Sequence, residues 1–328
     1  MPRLPRVHIQ KRPLMELGNR VCQGFDLLDL DADFTASVVG ILAKAQMLFG
    51  MELHGGAVMS DHFHLIASPE DVEQQAAFMG FFTRRLSQLA GRRHDWDGSM
   101  FPQRYNAMEI SSEPAAQAAR LKYVLSNGCK EGLVASPLEW PGVPFADAMV
   151  GDGVLKGTWV DREALYEARR RGEVVSEEDF AEEVELVLSP LPCWAHMSTR
   201  AYGAVARSLI DAIERETAAM HEADGTRPVG PRRLLEAQGR RGLRPRKLER
   251  RPCPWIFGRS LEVVQALMEG LKQKVVAYRT ASELLRSGFR QVRFPENCFP
   301  PALPFVPYAG VPVSGVPGRP EKRARGDG

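Results

Sequence analysis

Two histidines separated by one bulky apolar residue, His62-Phe63-His64, form the segment of this sequence best suited to chemistry. An apolar lead-in (Ala57, Val58, Met59) and a following Leu65-Ile66 read as a β-strand. On a strand alternate side chains share a face, so His62 and His64 point one way and Phe63 the other. Two imidazoles on one side of a stiff strand are half of a metal site. The bland alternative is a pair of half-buried histidines hydrogen-bonded to neighbours. Further along, Tyr123 and Asn127 stand four residues apart, which puts them on one face of a helix. A tyrosine there can supply a nucleophilic phenol, and an asparagine an amide oxygen suited to a hard divalent ion. Their ordinary roles would be a core tyrosine with a wet hydroxyl and a helix C-cap.

The surrounding pattern indicates what must position these groups. Residues 34–49 carry apolar residues at helical spacing (Val38, Ile41, Leu42, Ala45, Leu48), with Asp33 as the expected N-cap and Gly50 as the stop. Two short strands, Met51–Met59 and His62–Ala67, follow, joined by Ser60-Asp61. After Pro69, a second helix presents Val72, Ala76, Met79, Phe82, Leu86 and Leu89 as one stripe. A third helix over 114–127 starts at Pro114 and carries Tyr123. Val7–Gln10 is a weak strand candidate, and Phe25–Leu30 an edge strand or loop. Strand, helix, two strands, helix predicts an α+β sandwich with helices on an antiparallel sheet.

Beyond about residue 150 the character changes. Residues 161–188 read as charged helix, 200–219 as a further helix, and 260–287 as another that belongs to the core. Between Arg227 and Arg251 ten Lys/Arg residues face only Glu236 and Glu249, a local net of +8 in a chain whose overall formal charge is +2. Such a stretch fits a phosphate backbone, or else a solvated basic linker. Trp255 offers an aromatic for base stacking, although burial is its expected fate. The tail from Phe294 is rich in proline and is expected to be disordered. The division is therefore 1–150, a mainly helical 151–293, and a tail over 294–328.

The 328 residues allow one large domain or two modest ones, at 44% hydrophobic and 26% charged. Five scattered cysteines with no C-x-x-C pair argue against a disulfide framework or a zinc finger. The apolar runs read as too short for a membrane span. The start, Met1-Pro2-Arg3-Leu4-Pro5-Arg6, lacks the apolar core of a signal peptide, so a cytoplasmic location is expected.

Met59-Ser60-Asp61-His62-Phe63-His64-Leu65-Ile66 resembles the histidine–hydrophobic–histidine (HUH) motif of single-tyrosine transposases. The run from Tyr123 to Val134 resembles the tyrosine helix and its exit in REP-associated tyrosine transposases. Phe101-Pro102-Gln103-Arg104-Tyr105 resembles the aromatic-x-Gln-Arg segment before that helix, and Trp140-Pro141 the tryptophan-proline after it. Ser60-Asp61 stands where the family commonly has Pro-Asn, and Asn127-Gly128 where it has Asn-Pro. The resemblance covers about residues 50–145.

It implies a ferredoxin-like HUH domain followed by a mainly helical C-terminal region. Mg²⁺ or Mn²⁺ would sit on His62, His64 and Asn127. Tyr123 would be the nucleophile in cutting and rejoining single-stranded or hairpin-ended DNA through a 5′-phosphotyrosine. Gln103 and Arg104 would position the strand, with a solvated loop or salt bridge as their ordinary role. Arg232, Arg233, Arg240, Arg241, Arg244, Arg246 and Lys247 are the candidate DNA contacts of the basic stretch. The protein would act without a membrane, as a monomer or homodimer. Two alternatives stay open: a domesticated, catalytically silent DNA-binding relative, and a metallohydrolase that activates water at the two histidines.

Overall fold

A computed structural model describes residues 5–238, 254–289, 291–299 and 301. The chain order is β1 (Leu14–Arg20), α1 (Ala32–Phe49), β2 (Glu52–Val58), β3 (His62–Ser68), α2 (Val72–His94), β4 (Asn106–Ile110), α3 (Pro114–Leu125), α4 (Asn127–Lys130) and α5 (Phe145–Val150). There follow β5 (Val154–Val160), α6 (Arg162–Arg170), β6 (Ala181–Val187), α7 (Thr199–Asp224), α8 (Pro231–Gln238), β7 (Ile256–Phe257) and α9 (Leu261–Arg286).

The main sheet runs β2-β3-β1-β4-β7, antiparallel except for the β4–β7 pair. The first six elements thus form a β-α-β-β-α-β unit with split crossovers, the ferredoxin-like arrangement of an α+β fold. The strand bearing His62 and His64 lies inside the sheet, hydrogen-bonded on both edges. On one face Phe63 is fully buried and meets Phe82 of α2 at 5.1 Å between ring centroids, with Phe101 at 5.7 Å. Burying such a ring contributes about 1.5–3 kcal/mol. The opposite face, with the imidazoles, is covered in part by α3.

Several expectations are corrected. The N-terminal strand is Leu14–Arg20, whereas Val7 makes only an isolated bridge to Cys298. Leu14, Met15, Glu16 and Leu17 are all buried, so no alternation marks this strand as one. Residues 25–30 form an irregular segment; Leu27, Leu28 and Leu30 are buried, and the Leu28 amide donates to the Ser60 carbonyl at 2.9 Å. The N-cap of α1 is Asp31, which accepts from the Phe34 amide at 3.1 Å, and Asp33 sits in the first turn. Gly50 ends the helix as expected. By length and composition α1 is apolar enough to cross a membrane, but here it packs against α2 and a second sheet.

That second sheet is the β5–β6 hairpin. Helix was expected throughout 161–188. Instead α6 stops at Arg170 and Ala181–Val187 is a strand: Val184 and Leu186 turn inward while Glu183, Glu185 and Val187 face water, a period of two. The hairpin sits on α1 in backbone contact. A Cβ on Gly40 would lie 2.0 Å from the Thr158 carbonyl oxygen, and one on Gly157 would lie 2.5 Å from the Gly40 nitrogen. Helix α9 is a surface helix rather than a core one, burying only Val275, Ala281, Ser282 and Leu285. Residues 297–299 hold the N-terminal segment: Asn297 O accepts from His8 N at 2.9 Å, and Phe299 N donates to Arg6 O at 3.0 Å. The first part of the expected disordered tail is therefore placed; from 302 onward it lies outside the described residues.

Candidate active site

The register of the central strands builds the site. Arg20 of β1 pairs with His62, and Gly18 pairs with His64. Glu16 lies two residues further along β1, on the same face as Gly18. With no side chain at Gly18, the His64 ring has room to reach across. A Cβ there would stand 2.9 Å from the Phe63 carbonyl oxygen and 3.2 Å from His64 Nδ1. The two imidazoles lie edge to face with centroids 5.2 Å apart, as their shared face predicts.

A carboxylate meets each ring at Nδ1. His62 Nδ1 donates to Asp61 Oδ1 at 2.5 Å, and His64 Nδ1 lies 2.7 Å from Glu16 Oε1. Nε2 is then the nitrogen left on each ring for a ligand; Asp61 and His62 form the carboxylate–histidine arrangement that commonly stands behind metal-binding imidazoles, whereas Glu16 approaches His64 Nδ1 without hydrogen-bond alignment. Burial pushes the His62 pKa down and outweighs the Asp61 contact, which favours the neutral, ligating form. Burial alone would raise the Glu16 carboxyl, but contacts with His64 and Arg120 prevail and hold it at about 2.

Arg120 connects strand and tyrosine. Helix α3 opens at Pro114, behind Glu113, whose carboxylate accepts from Ser111 Oγ at 2.6 Å and from the Arg259 and Ser260 amides at 3.0 Å each. The helix buries Ala116, Leu121, Val124 and Leu125, leaving Arg120 and Tyr123, three apart, on another face. Arg120 pairs with Glu16 Oε2. Its guanidinium stands 4.0 Å from the centroid of the Tyr123 ring. Lys130, at the end of α4, places Nζ 3.5 Å from the same centroid. Burial and then the Arg120 charge lower the Lys130 amine to about 8. Tyr123 itself is 41% exposed. His64, Glu16, Arg120, Tyr123 and Lys130 thus form one contiguous set, with His62 beside His64.

The other expected groups are placed differently. The helix breaks at Ser126, and buried Asn127 turns its amide back: Nδ2 donates to Val124 O at 2.7 Å and to Tyr123 O at 3.4 Å. Its amide nitrogen serves the helix end, and only Oδ1 remains as a metal donor. Among the described residues no cluster of three His, Cys, Asp or Glu forms a metal site. The two imidazoles fit a divalent ion, and open positions would be completed by Asn127 Oδ1, water or a phosphate. Gln103 is exposed, its carbonyl accepting from Asn19 Nδ2 at 3.2 Å. Arg104 lines a separate cavity with Tyr105, Glu109 and Trp255. Trp255 is 42% exposed, against the expectation of burial. Arg232 and Arg233 are exposed or nearly so on α8, with Arg232 Nε 2.9 Å from Glu236. Arg240, Arg241, Arg244, Arg246 and Lys247 lie outside the described residues.

A cleft of about 330 Å³ opens beside His62, lined also by Arg20, Asp26, Asp61, Glu131 and Gln238. Helix α8 walls it. Gln238 accepts from Leu30 N at 2.9 Å and donates to Leu28 O at 3.0 Å. The irregular segment before α8 bonds to the exit of the tyrosine helix, from Val229 N to Gly132 O and from Gly230 N to Leu133 O. Sequence reasoning missed Glu16, Asp61, Arg120, Lys130 and Gln238 as site residues. Of these, Arg120 carried a local signal, its three-residue offset from Tyr123.

No family model matches the sequence, and no curated protein does. Among solved structures, the chain is similar to a REP-associated tyrosine transposase bound to a REP hairpin. There the identity is 15% over 46% of this chain and 87% of that one, with a TM-score of 0.36. It is also similar to a putative transposase from Deinococcus radiodurans R1, with 21% identity over 33% of this chain and 85% of that one and a TM-score of 0.26. Likenesses this loose carry no argument about activity, which rests on the residues above.

Proposed function

We propose that this chain is a transposase-type nuclease that cuts and rejoins single-stranded or hairpin-ended DNA, with Tyr123 as nucleophile. The observation that carries the reading is the contact path from His64 through Glu16 and Arg120 to Tyr123, which ties the histidine strand to the tyrosine helix within one chain. Nothing in a purely structural tyrosine requires an exposed ring flanked by two cations.

In the proposed step the Tyr123 hydroxyl oxygen bonds to the scissile phosphorus while the phosphorus–O3′ bond breaks. The phenol loses its proton, and the departing oxygen gains one to become a 3′-hydroxyl. The product is a 5′-phosphotyrosine, and attack by another 3′-hydroxyl reverses the step without an external energy source. Arg120 and Lys130 hold the phosphate against the ring by charge. His62 and His64 would hold Mg²⁺ or Mn²⁺, with Asn127 Oδ1 as a candidate third ligand; the ion would offset charge developing on the phosphate oxygens. Asp61 and Glu16 fix the two rings. The cleft beside His62 offers room for a flanking nucleotide.

The test incubates the full chain with hairpin-bearing single-stranded DNA and Mn²⁺, then looks for DNA that stays attached to protein after denaturation. The expected result is an adduct in the wild type that is absent from Tyr123→Phe. Cleavage that survives Tyr123→Phe would assign the reaction to metal-activated water. DNA binding without any adduct in the wild type would leave a silent DNA-binding relative. Either outcome overturns the proposal.

A further inference from the structure

On the face of the sheet opposite the imidazoles, α1, α2, β5 and α6 meet at a shallow cleft into which three arginines converge: Arg85, Arg92 and Arg162. Arg85 is held rigidly. Its guanidinium lies 5.5 Å from the Phe81 ring centroid and 5.6 Å from that of Trp159, two rings that themselves pack 5.9 Å apart. Its contacts are weak: Nη1 to Gln88 Oε1 at 3.3 Å and Nη2 to Glu163 at 3.8 Å. Its Nε is buried with no acceptor. Arg162 is engaged by Glu177. Arg92, from the last turn of α2, is exposed and makes no ion pair among the described residues, and it shares the cleft with the Arg162 and Arg85 charges.

Glu177 answers Arg162 and Glu163 stands 3.8 Å from Arg85, which leaves Arg92 without an ion pair among the described residues and the buried Arg85 Nε without an acceptor, an arrangement that a further negative group in the cleft would complete. Planar five-donor forks match carboxylate and phosphate oxygens alike, but donors converging from several sides are answered more fully by the four oxygens of a tetrahedral anion than by the two of a lone carboxylate. Ser37 of α1 also lines the cleft, but its hydroxyl donates to the Asp33 carbonyl at 2.9 Å, so the donors on offer are the guanidinium groups. We infer that this cleft is a phosphate-binding site, separate from the tyrosine centre and taking either a backbone phosphate of bound nucleic acid or free inorganic phosphate. The site is assembled from the ferredoxin-like unit (Arg85, Arg92) and the segment added after it (Arg162). Trp159 is nearly buried, so recognition is by charge and not by base stacking.

The experiment compares the full-length wild type with Arg92→Gln and Arg92→Lys, after thermal melting confirms that all three fold. Arg92 is exposed at a helix end, so the substitutions leave the core untouched. One arm titrates a labelled single-stranded oligonucleotide at several salt concentrations. If the site takes a backbone phosphate, Arg92→Gln weakens binding several-fold and lowers the log–log salt slope by about one, and Arg92→Lys restores most of both. The other arm follows ³¹P line width and the melting temperature with inorganic phosphate. If the site takes the free anion, broadening and stabilisation are present in the wild type and lost in Arg92→Gln, while the DNA titrations superimpose. Identical behaviour of wild type and Arg92→Gln in both arms overturns the inference. Neither arm reads cleavage, and Arg92 lies outside the tyrosine centre, so a failure here is distinguishable from a failure of the cleavage mechanism.

Discussion

Glu16 on the first strand pairs with Arg120 on the helix that carries Tyr123, and its other carboxylate oxygen lies 2.7 Å from His64 Nδ1. One buried acid therefore sets the position of both an imidazole and the cation beside the candidate nucleophile. Replacing it by an amide keeps the shape and removes the charge. Glu16→Gln should lower stability at neutral pH by about 3 kcal/mol, the linkage value of a carboxyl held at about 2 against an ordinary 4.5. The folded form is the stronger acid, so this stability is fully present above pH 4.5 and disappears as pH falls through about 2. Urea titrations at pH 7, 4 and 3 check it: the gap between wild type and variant should narrow with acid. A gap independent of pH would show that the carboxylate is not the stabilising form.

Gly18→Ala tests the room left for His64. The new methyl would press on a backbone carbonyl and on the ring, neither of which yields cheaply, and the expected cost is about 1–3 kcal/mol. Mn²⁺ binding should weaken by about 10–100-fold as His64 loses its orientation by Glu16. Full stability together with unchanged Mn²⁺ affinity would mean that the strand spacing relaxes freely.

Asn127 separates two roles by one substitution. Its amide nitrogen caps the Val124 and Tyr123 carbonyls. Asn127→Asp puts an acceptor where a donor stood and should cost about 1–3 kcal/mol in thermal or chemical denaturation. If Asn127 Oδ1 also holds a cation, the same variant should bind Mn²⁺ at least as tightly as wild type while Asn127→Ala binds it more weakly. A variant with aspartate that melts like wild type would rule out the capping geometry.

Lys130 should be the most reactive lysine near the site. Its amine, lowered to about 8, is half neutral at that pH, whereas an ordinary lysine at 10.5 is almost entirely charged. Brief acylation at pH 8 followed by peptide mass mapping should find Lys130 modified ahead of Lys122, which is paired with Glu216 at 2.5 Å. Because the folded state gives up this proton more readily, stability should rise as pH climbs from 8 to 10.5. DNA binding should weaken over the lower part of that range as the charge is lost.

The parts legible in the sequence are those with a local period. The alternation around His62-Phe63-His64 specified a strand with both imidazoles on one face, and the stripe from Val72 to Leu89 specified α2. The i, i+4 offset of Tyr123 and Asn127 placed them on adjacent turns, but whether the asparagine would serve the helix end or a cation depends on a helix break at Ser126 that no residue type announces. Glu16 was hidden because an acid inside a fully buried run looks like noise until its partners, distant in sequence, are known. Strand β6 was misread because four acids over 178–183 resemble a charged helix surface, and the inward Val184 and Leu186 become informative only once α1 offers them a place to pack.

The seat of the β5–β6 hairpin on α1 bears on the order of folding. The two strands pair across a connection that holds α6, and their resting place is a strip of bare backbone at Gly40 that exists only after α1 has formed. Docking joins residues far apart in the chain, so its loop-closure entropy is met late, with little gain until the contact is exact. A methyl at Gly40 would leave both pieces individually intact and obstruct only their union. The first subglobal opening of the native protein should accordingly be the lifting of this hairpin, with hydrogen exchange faster on β5 and β6 than on β3. Because Arg162 follows directly on β5, the three-arginine cleft would come apart in that same opening, while the histidine strand stays closed.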